Sequence, residues 1–291
     1  MIQDENVQCW INCWNSTADT INFLSDDIQA ERWNKRADSF GKNLEEKRKK
    51  QKDADFFKLL DEVGFNPEGA TVLDIGCGPG SLTLPLARAG AKVTSLDISS
   101  KMLERLKETA ENEDLSISPI ECSWWTADID TMKFRNKFDL VIASFTPGIR
   151  DVETFDRMIS CSKKYCYYSN FIRRDPVKIP PDIYIRILQK VPEQEFFAAG
   201  FFYPFMYLYT LGFQPIVKIN HKTEDQNQSW EEAANSTIGY LEMKHEISDE
   251  NRNKIMEYYK NCSENGIYTT HSETYKGMMA WALDNRKKIG K

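Results

Sequence analysis

Residues 71–99, TVLDIGCGPGSLTLPLARAGAKVTSLDIS, decide the fold class of this 291-residue chain. The stretch contains an apolar run, a glycine-rich turn, a helical segment and a second apolar run that ends in Asp97. A strand, a tight glycine turn, a helix and a second strand with a terminal acid open a Rossmann-type nucleotide site. The stretch therefore predicts an α/β fold with a ligand site at the carboxyl edge of its sheet.

Strand and helix patterns continue to alternate on both sides of this stretch. Alternation at this spacing indicates a mostly parallel sheet with helices on both faces. We predict strands at 71–75, 92–97, 116–121, 138–143, 165–171, 214–220 and 267–273, and helical segments at 81–89, 100–112, 152–161 and 194–211.

Composition and charge limit the classes of partner. Hydrophobic residues make up 41% of the chain, which is enough for a sizeable core, and the net charge is −6. An acidic chain has no general attraction to nucleic-acid phosphate or anionic lipid, so we expect neither as a partner. Seven cysteines and a first segment, MIQDENVQ, without a positive and apolar secretion pattern predict a reducing, cytoplasmic location.

The segment 196–217 has no formal charge and is long enough for a membrane span. Pro204 and the LGFQP sequence near its end divide it into a helix followed by a strand. We therefore predict no membrane-spanning segment here.

The glycine spacing and two acids indicate which nucleotide is bound. A dinucleotide fingerprint has glycines at positions 1, 3 and 6, whereas Gly76, Gly78 and Gly80 stand at positions 1, 3 and 5. A carboxylate at Asp74 would repel a pyrophosphate but suits a ligand with an ammonium and a sulfonium group. Asp97 follows about 20 residues after Gly76, where a carboxylate accepts hydrogen bonds from a ribose.

On these residues, VLDIGCGPGSLTLPLARAGAKVTSLDIS resembles motif I and the following acid of class I S-adenosylmethionine-dependent methyltransferases. The resemblance is clear from Thr71 to Phe171 and looser beyond. It implies a Rossmann-like sheet of seven strands, the last antiparallel and inserted beside the fifth. It also implies S-adenosylmethionine as cofactor and S-adenosylhomocysteine as product. The cofactor-binding residues that it implies are Asp74, Gly76, Cys77, Gly78 and Gly80 around the methionine part, Asp97 at the ribose, Ile98, Met102, Asp128 and Ile129 around the adenine, and Ser144 after the fourth strand.

The implied topology divides the chain into three regions. We predict an N-terminal helical segment at 1–68 that closes the site, and a methyltransferase core at 69–221 and 266–291. The insertion at 222–265 begins and ends at the carboxyl edge of the implied sheet, so we predict a helical cap over the substrate site.

Methyl transfer from a sulfonium is an in-line displacement that mainly requires positioning, so no metal is expected. We predict a small-molecule acceptor, and a homodimer stays open. His221 is the candidate general base, because it follows the sixth strand directly, although a lone histidine is more often structural. Arg150, Arg173, Tyr203 and Tyr207 are the candidate substrate residues.

Three other functions stay open at this point. The chain could methylate RNA or protein, although the ASFTPGIRD segment lacks the Asn-Pro-Pro-aromatic signature of amino-methylating DNA and protein-glutamine enzymes. It could instead be a catalytically inactive scaffold or sensor that binds S-adenosylmethionine. An NAD-dependent oxidoreductase is the remaining alternative, and the glycine spacing disfavours it.

Overall fold

The structure is a computed structural model that describes residues 2–19, 25–48, 54–174, 179–191, 200–242 and 245–285. Its strands are β1 (Thr71–Ile75), β2 (Lys92–Asp97), β3 (Ile117–Glu121), β4 (Phe138–Ser144), β5 (Ser162–Arg174), β6 (Ile216–Ser229) and β7 (Ile267–Ala282). Its α-helices are α1 (Ile2–Asp19), α2 (Asp26–Arg48), α3 (Ala54–Glu62), α4 (Thr83–Arg88), α5 (Ser100–Asn112), α6 (Val152–Cys161), α7 (Phe202–Thr210), α8 (Trp230–Glu242) and α9 (Asp249–Asn261).

The strands form one seven-stranded sheet in the order β3-β2-β1-β4-β5-β7-β6. The pairs β3-β2, β2-β1, β1-β4 and β4-β5 are parallel. Between β6 and β7, the Thr269 hydroxyl donates to the Asn227 side chain and the Ser272 hydroxyl donates to the Glu224 carbonyl. Residue numbers along the two strands therefore run in opposite directions. These two strands are therefore antiparallel, and β7 lies beside β5. The predicted fold class, a mostly parallel Rossmann-like sheet with seven strands, is confirmed.

The last two strands extend well beyond their predicted ends. β6 has 14 residues and β7 has 16, and residues 221–227 of β6 are exposed. Apolar alternation marks a strand only where one of its faces is buried, so this exposed ribbon left no such pattern. As a result, residues 222–229 of the predicted insertion continue β6. The predicted helix 194–211 starts at Phe202, and its residues 194–199 lie outside the described residues.

Helices cover both faces of the sheet, as predicted. On one face, Trp14 of α1, Phe155 of α6 and Leu208 of α7 are fully buried in one cluster. On the other face, Phe56 of α3 and Leu86 of α4 belong to a second cluster. Burying large apolar side chains contributes about 1.5 to 3 kcal/mol each, so these two layers hold the sheet rigidly behind its carboxyl edge.

The described chain divides into two compact units. The first comprises Met1–Ile172, Ala198–Ile219 and Lys276–Lys291, and the second comprises Arg173–Phe197 and Asn220–Tyr275. Asp74 and Asp97, the two acids of the predicted cofactor site, lie in the first unit. The three predicted regions, including a cap at 222–265, stay a prediction.

The second unit has its own small core. Ile183 from a π-helical turn at Ile183–Ile187, Ala234 of α8 and Ile255 of α9 are fully buried there. Ser229 begins α8 with a reciprocal pair of hydrogen bonds to Glu232, and Ser248 caps α9. These caps satisfy backbone donors that each helix start leaves unpaired.

Among the helices that the structure describes, none combines the length and the apolar character needed to cross a membrane.

Two buried tryptophans of the first unit differ in one hydrogen bond and provide a stability test. The indole N–H of Trp14 donates to the Arg150 carbonyl at 2.9 Å, whereas Nε1 of Trp281 has no acceptor among the described residues. Trp14→Phe and Trp281→Phe remove the same side-chain volume, but only Trp14→Phe also removes a hydrogen bond. We expect Trp14→Phe to lower the free energy of unfolding by about 1 kcal/mol more than Trp281→Phe, measured by urea denaturation. Equal losses would contradict this expectation.

Candidate cofactor site

Gly76 and Gly78 in the turn after β1 both have a left-handed backbone, which favours glycine, but their surroundings differ. Gly76 has φ of 66°, and a Cβ atom there would lie 2.0 Å from Oγ1 of Thr146 in the loop after β4. Gly78 has φ of 53°, and a Cβ atom there would meet no atom within 4 Å. The chain therefore packs tightly against one side of the turn, and space remains open in front of Gly78.

Asp97 lies at the end of β2 and joins the glycine turn to the start of α5. One carboxylate oxygen accepts the Gly78 N–H at 2.8 Å, and the other accepts the Ser99 N–H at 2.8 Å. The residue is 8% exposed, and burial raises the pKa of its carboxyl group while these backbone donors lower it. Ser99, not Asp97, is the N-cap of α5. Asp97 is therefore not the N-cap of α5, and its role as a ribose ligand stays a prediction.

Asp74 lies deeper than a residue at a pocket mouth, with 2% of its surface exposed. Its Oδ2 accepts the Thr83 hydroxyl proton at 2.7 Å, and Thr83 in turn lies 3.2 Å from the Ser95 hydroxyl. Burial, together with the charge of Asp97, raises the pKa of Asp74 to about 7, against the hydrogen bonds from Thr83. Asp74 and Asp97, on the adjacent strands β1 and β2, thus share one poorly solvated site beside the glycine turn.

An N-terminal residue that the sequence did not indicate reaches this site. Oδ1 of Asn34 in α2 accepts the Ser99 hydroxyl at 2.6 Å and the Lys101 N–H at 3.2 Å. The contact joins α2 to the first turn of α5, directly after Asp97. An isolated asparagine on a charged helix carries no pattern that distinguishes it from a solvated residue, so no sequence signal could have found it.

The other predicted cofactor residues have different surroundings. Cys77 and Met102 are buried, Ile98 is half-buried, and Ile129 packs in the core cluster. Asp128 is exposed, and its carboxylate accepts bonds from the Thr131 hydroxyl, the Thr131 N–H and the Asp130 N–H, which lower its pKa. A carboxylate has lone pairs beyond those three bonds. The adenine roles of these residues stay predictions.

The end of β4 and the loop after it bring Ser144 and Thr146 to the same edge of the sheet. The Ser144 hydroxyl lies 2.8 Å from that of Ser169, and Oγ1 of Thr146 accepts the Gly148 N–H at 3.1 Å. Thr146 is 8% exposed and closes one side of the glycine turn at Gly76. The loop after β4 and the loop after β1 therefore form one continuous wall.

Three of the predicted substrate residues belong to the first unit. The Arg150 guanidinium pairs with Asp151 and lies 4.8 Å from the Trp125 ring centre. Tyr203 packs edge-on against Trp10. The Tyr207 hydroxyl donates to Asp156 at 3.0 Å, and the residue is 5% exposed. This packing of α7 on α6 gives Tyr207 a structural role and leaves its predicted acceptor contact without support.

His221 and Arg173 belong to the second unit. The exposed His221 ring stacks on Tyr275 across the β6-β7 ribbon, with ring centres 4.2 Å apart. Arg173 is exposed near the end of β5. Their roles as a base and a substrate residue stay predictions.

Comparison with known proteins identifies the class of the domain. Residues 72–165 match the family model of the methyltransferase domain. An uncharacterized protein from Haemophilus influenzae is 23% identical over 257 residues, which are 87% of this chain and 89% of that protein. A ubiquinone biosynthesis O-methyltransferase from Methylocella silvestris is 48% identical over 50 residues, which are 17% of this chain and 20% of that protein. A ribosomal RNA small subunit methyltransferase A from Novosphingobium aromaticivorans is 44% identical over 57 residues, which are 19% of this chain and 21% of that protein.

The family match covers the glycine turn, both buried acids and the loop after β4. It confirms the resemblance found in the sequence: residues 72–165 belong to the class I S-adenosylmethionine-dependent methyltransferase domains. The chain spans only about a fifth of the length of the two relatives with named activities.

Proposed function

We propose that this chain binds S-adenosylmethionine and transfers its methyl group to a small-molecule acceptor by in-line displacement. The observation that carries the proposal is the buried Asp97, bonded to the Gly78 N–H inside a methyltransferase-domain match. Asp97 keeps lone pairs beyond its two backbone bonds, which suits two ribose hydroxyls. The open space at Gly78 and the tight wall at Gly76 fit a ligand that lies against the turn.

The residues of this chain would hold the ligand through charge and shape. Bound S-adenosylmethionine supplies a methyl group on a positively charged sulfonium. Asp74, once ionised, attracts positive charge from within a poorly solvated site, where electrostatic interactions are stronger than in water. Thr146 fixes the distance between the glycine turn and the loop after β4, along which we expect the acceptor to approach. Displacement at carbon needs close alignment of the reacting atoms, and this rigid edge supports it.

A small-molecule acceptor is favoured by the acidic charge of the chain. The two named relatives act on different acceptors by their names, so the shared segments around the glycine turn do not indicate the acceptor. Methylation of RNA or protein therefore remains the second candidate, with the RNA methyltransferase match in its favour. A catalytically inactive binding protein is the third, since displacement needs no obligatory catalytic side chain.

Calorimetric titration tests the proposal. We expect S-adenosylhomocysteine to bind and NADH not to bind, and Asp97→Ala to weaken S-adenosylhomocysteine binding by about 1.5 to 3 kcal/mol, or roughly 10- to 150-fold. Asp130→Ala is the matched control, because this exposed acid lies outside the two strand ends and pairs with Arg135. Tighter binding of NADH than of S-adenosylhomocysteine would overturn the proposal. Unchanged affinity in Asp97→Ala would overturn the assignment of that residue.

A further inference from the structure

An exposed phenylalanine stands in the loop after β4, the loop that packs against the glycine turn through Thr146. Phe145 lies between Ser144 and Thr146, it is 39% exposed, and it has φ of 49°. A bulky side chain rarely adopts this left-handed conformation, which favours glycine or asparagine. The backbone bond of Phe145, from its N–H to the Ser169 carbonyl at 2.9 Å, does not need an aromatic side chain.

The strained backbone is unfavourable for folding, and the described contacts of the Phe145 ring are with Phe171 and Lys276 rather than with the buried core cluster. Strained residues of this kind are concentrated at ligand sites. Phe145 is also one residue away from Thr146, the residue that packs against Gly76. Its position therefore indicates contact with a ligand that reaches the same edge of the sheet as the cofactor.

Phe145 forms one cluster with a second ring and a lysine. Its ring centre lies 4.9 Å from that of Phe171 on β5, at an angle of 57°. Nζ of Lys276 on β7 lies 5.4 Å from the Phe145 ring centre and 5.8 Å from the Phe171 ring centre. The inserted position of β7 beside β5 brings Lys276 next to Phe171. All three residues belong to the first unit.

We propose that Phe145, Phe171 and Lys276 form an acceptor subsite that selects a planar organic anion. This inference rests on the proposed methyltransferase function and names the chemical class of its acceptor. The two rings offer aromatic faces and edges that pack favourably against a planar molecule. An ammonium group held against apolar rings is less screened by water than one on an open surface, so it attracts a carboxylate or phenolate more strongly.

Ligand-observed NMR titration of the full chain with saturating S-adenosylhomocysteine tests the subsite with three probes. The probes are 4-hydroxybenzoate, its neutral amide 4-hydroxybenzamide, and the non-planar anion trans-4-hydroxycyclohexanecarboxylate. We expect 4-hydroxybenzoate to bind at least about tenfold more tightly than either of the others. The preference over the amide should shrink in 0.5 M salt, because the Debye length then falls to a few ångströms.

Variants separate recognition by this cluster from a structural role. Lys276→Met keeps the apolar stem, and we expect it to reduce the preference for 4-hydroxybenzoate over the amide to about twofold or less. Phe145→Asn suits the left-handed backbone, so we expect an unchanged or higher melting temperature together with weaker binding of both planar probes. Lys164→Met is the matched control, because Lys164 also lies over a ring, that of Tyr165, at the opposite end of β5. It should leave all three affinities unchanged.

Several outcomes would overturn the inference. These are equal binding of the anion and the amide, the same preference in Lys276→Met as in the wild type, or no binding of any probe at 10 mM. A loss of melting temperature in Lys276→Met without a change in preference would assign the cluster to stability alone. Binding of S-adenosylhomocysteine is measured in the same samples, so failure of the cofactor proposal is recognised separately.

Discussion

Gly76→Ala is expected to destabilise the fold by roughly 2 to 5 kcal/mol. The left-handed backbone at φ of 66° costs a residue with a Cβ atom about 1 to 2 kcal/mol. The new methyl group would lie 2.0 Å from Oγ1 and 2.6 Å from Cβ of Thr146, so the loop after β4 has to move. Overpacking of this kind typically adds about 1 to 3 kcal/mol. Urea denaturation measures the sum.

Gly78→Ala is the matched control, two residues away in the same turn. Its φ of 53° imposes a similar backbone cost, but the new methyl group meets no atom within 4 Å. We therefore expect a loss of only about 1 to 2 kcal/mol in stability. Because that methyl group would fill the space assigned to the cofactor, affinity for S-adenosylhomocysteine should fall although the fold survives. Equal stability losses in the two variants would contradict the steric argument.

A second-site change tests the contact directly. Thr146→Gly removes all three side-chain atoms that the new methyl group would meet, so it should recover part of the stability lost in Gly76→Ala. Only the backbone strain at position 76 would remain. The double-mutant cycle should therefore give a favourable coupling energy of about 1 to 3 kcal/mol, and additive losses would exclude the clash as the cause.

Asp74→Asn is expected to stabilise the protein in a pH-dependent way. Burial raises the pKa of Asp74 from 3.8 to about 7, so the folded state binds more protons than the unfolded state between these values. Wild-type stability is therefore lost through this group as pH rises from about 4 to 7, and the loss is complete above 7. Asparagine has no charge to desolvate. Relative to the wild type, the variant should gain about 2 to 3 kcal/mol between pH 5 and pH 8.

Asp139→Asn is the control with the opposite sign. Burial alone would raise the pKa of Asp139, but hydrogen bonds from Thr71 and Lys163 lower it overall. Its ionised form therefore stabilises the fold at neutral pH, and its replacement should reduce stability at pH 8 more than at low pH. Urea denaturation at several pH values measures both variants. A stability difference between Asp74→Asn and wild type that is constant with pH would show that Asp74 is ionised without penalty.

The same Asp74→Asn variant should bind S-adenosylmethionine more weakly. The native acid would thus lower stability at neutral pH while providing negative charge at the site, a conflict typical of functional positions.

The sequence by itself determined the fold class, the bounds of four elements and the placement of two acids at one edge of the sheet. β1, β2, α5 and α6 begin and end at the predicted residues, because apolar periodicity and capping residues are local signals. Asp74 and Asp97 lie at or near the ends of adjacent parallel strands, so the strand pattern alone brought them to one edge. The spacing of Gly76, Gly78 and Gly80 also distinguished this turn from a dinucleotide-binding fingerprint.

Only the tertiary structure decided which side chains meet across distant segments. Asn34 bonds to Ser99 although 65 positions separate them, and Phe145 meets Lys276 only because β7 lies beside β5. The depth of Asp74, and with it the raised pKa, depends on the layers packed around the sheet. Such contacts depend on how helices and strands pack in three dimensions, whereas periodicity, caps and turns are set by a few neighbouring residues.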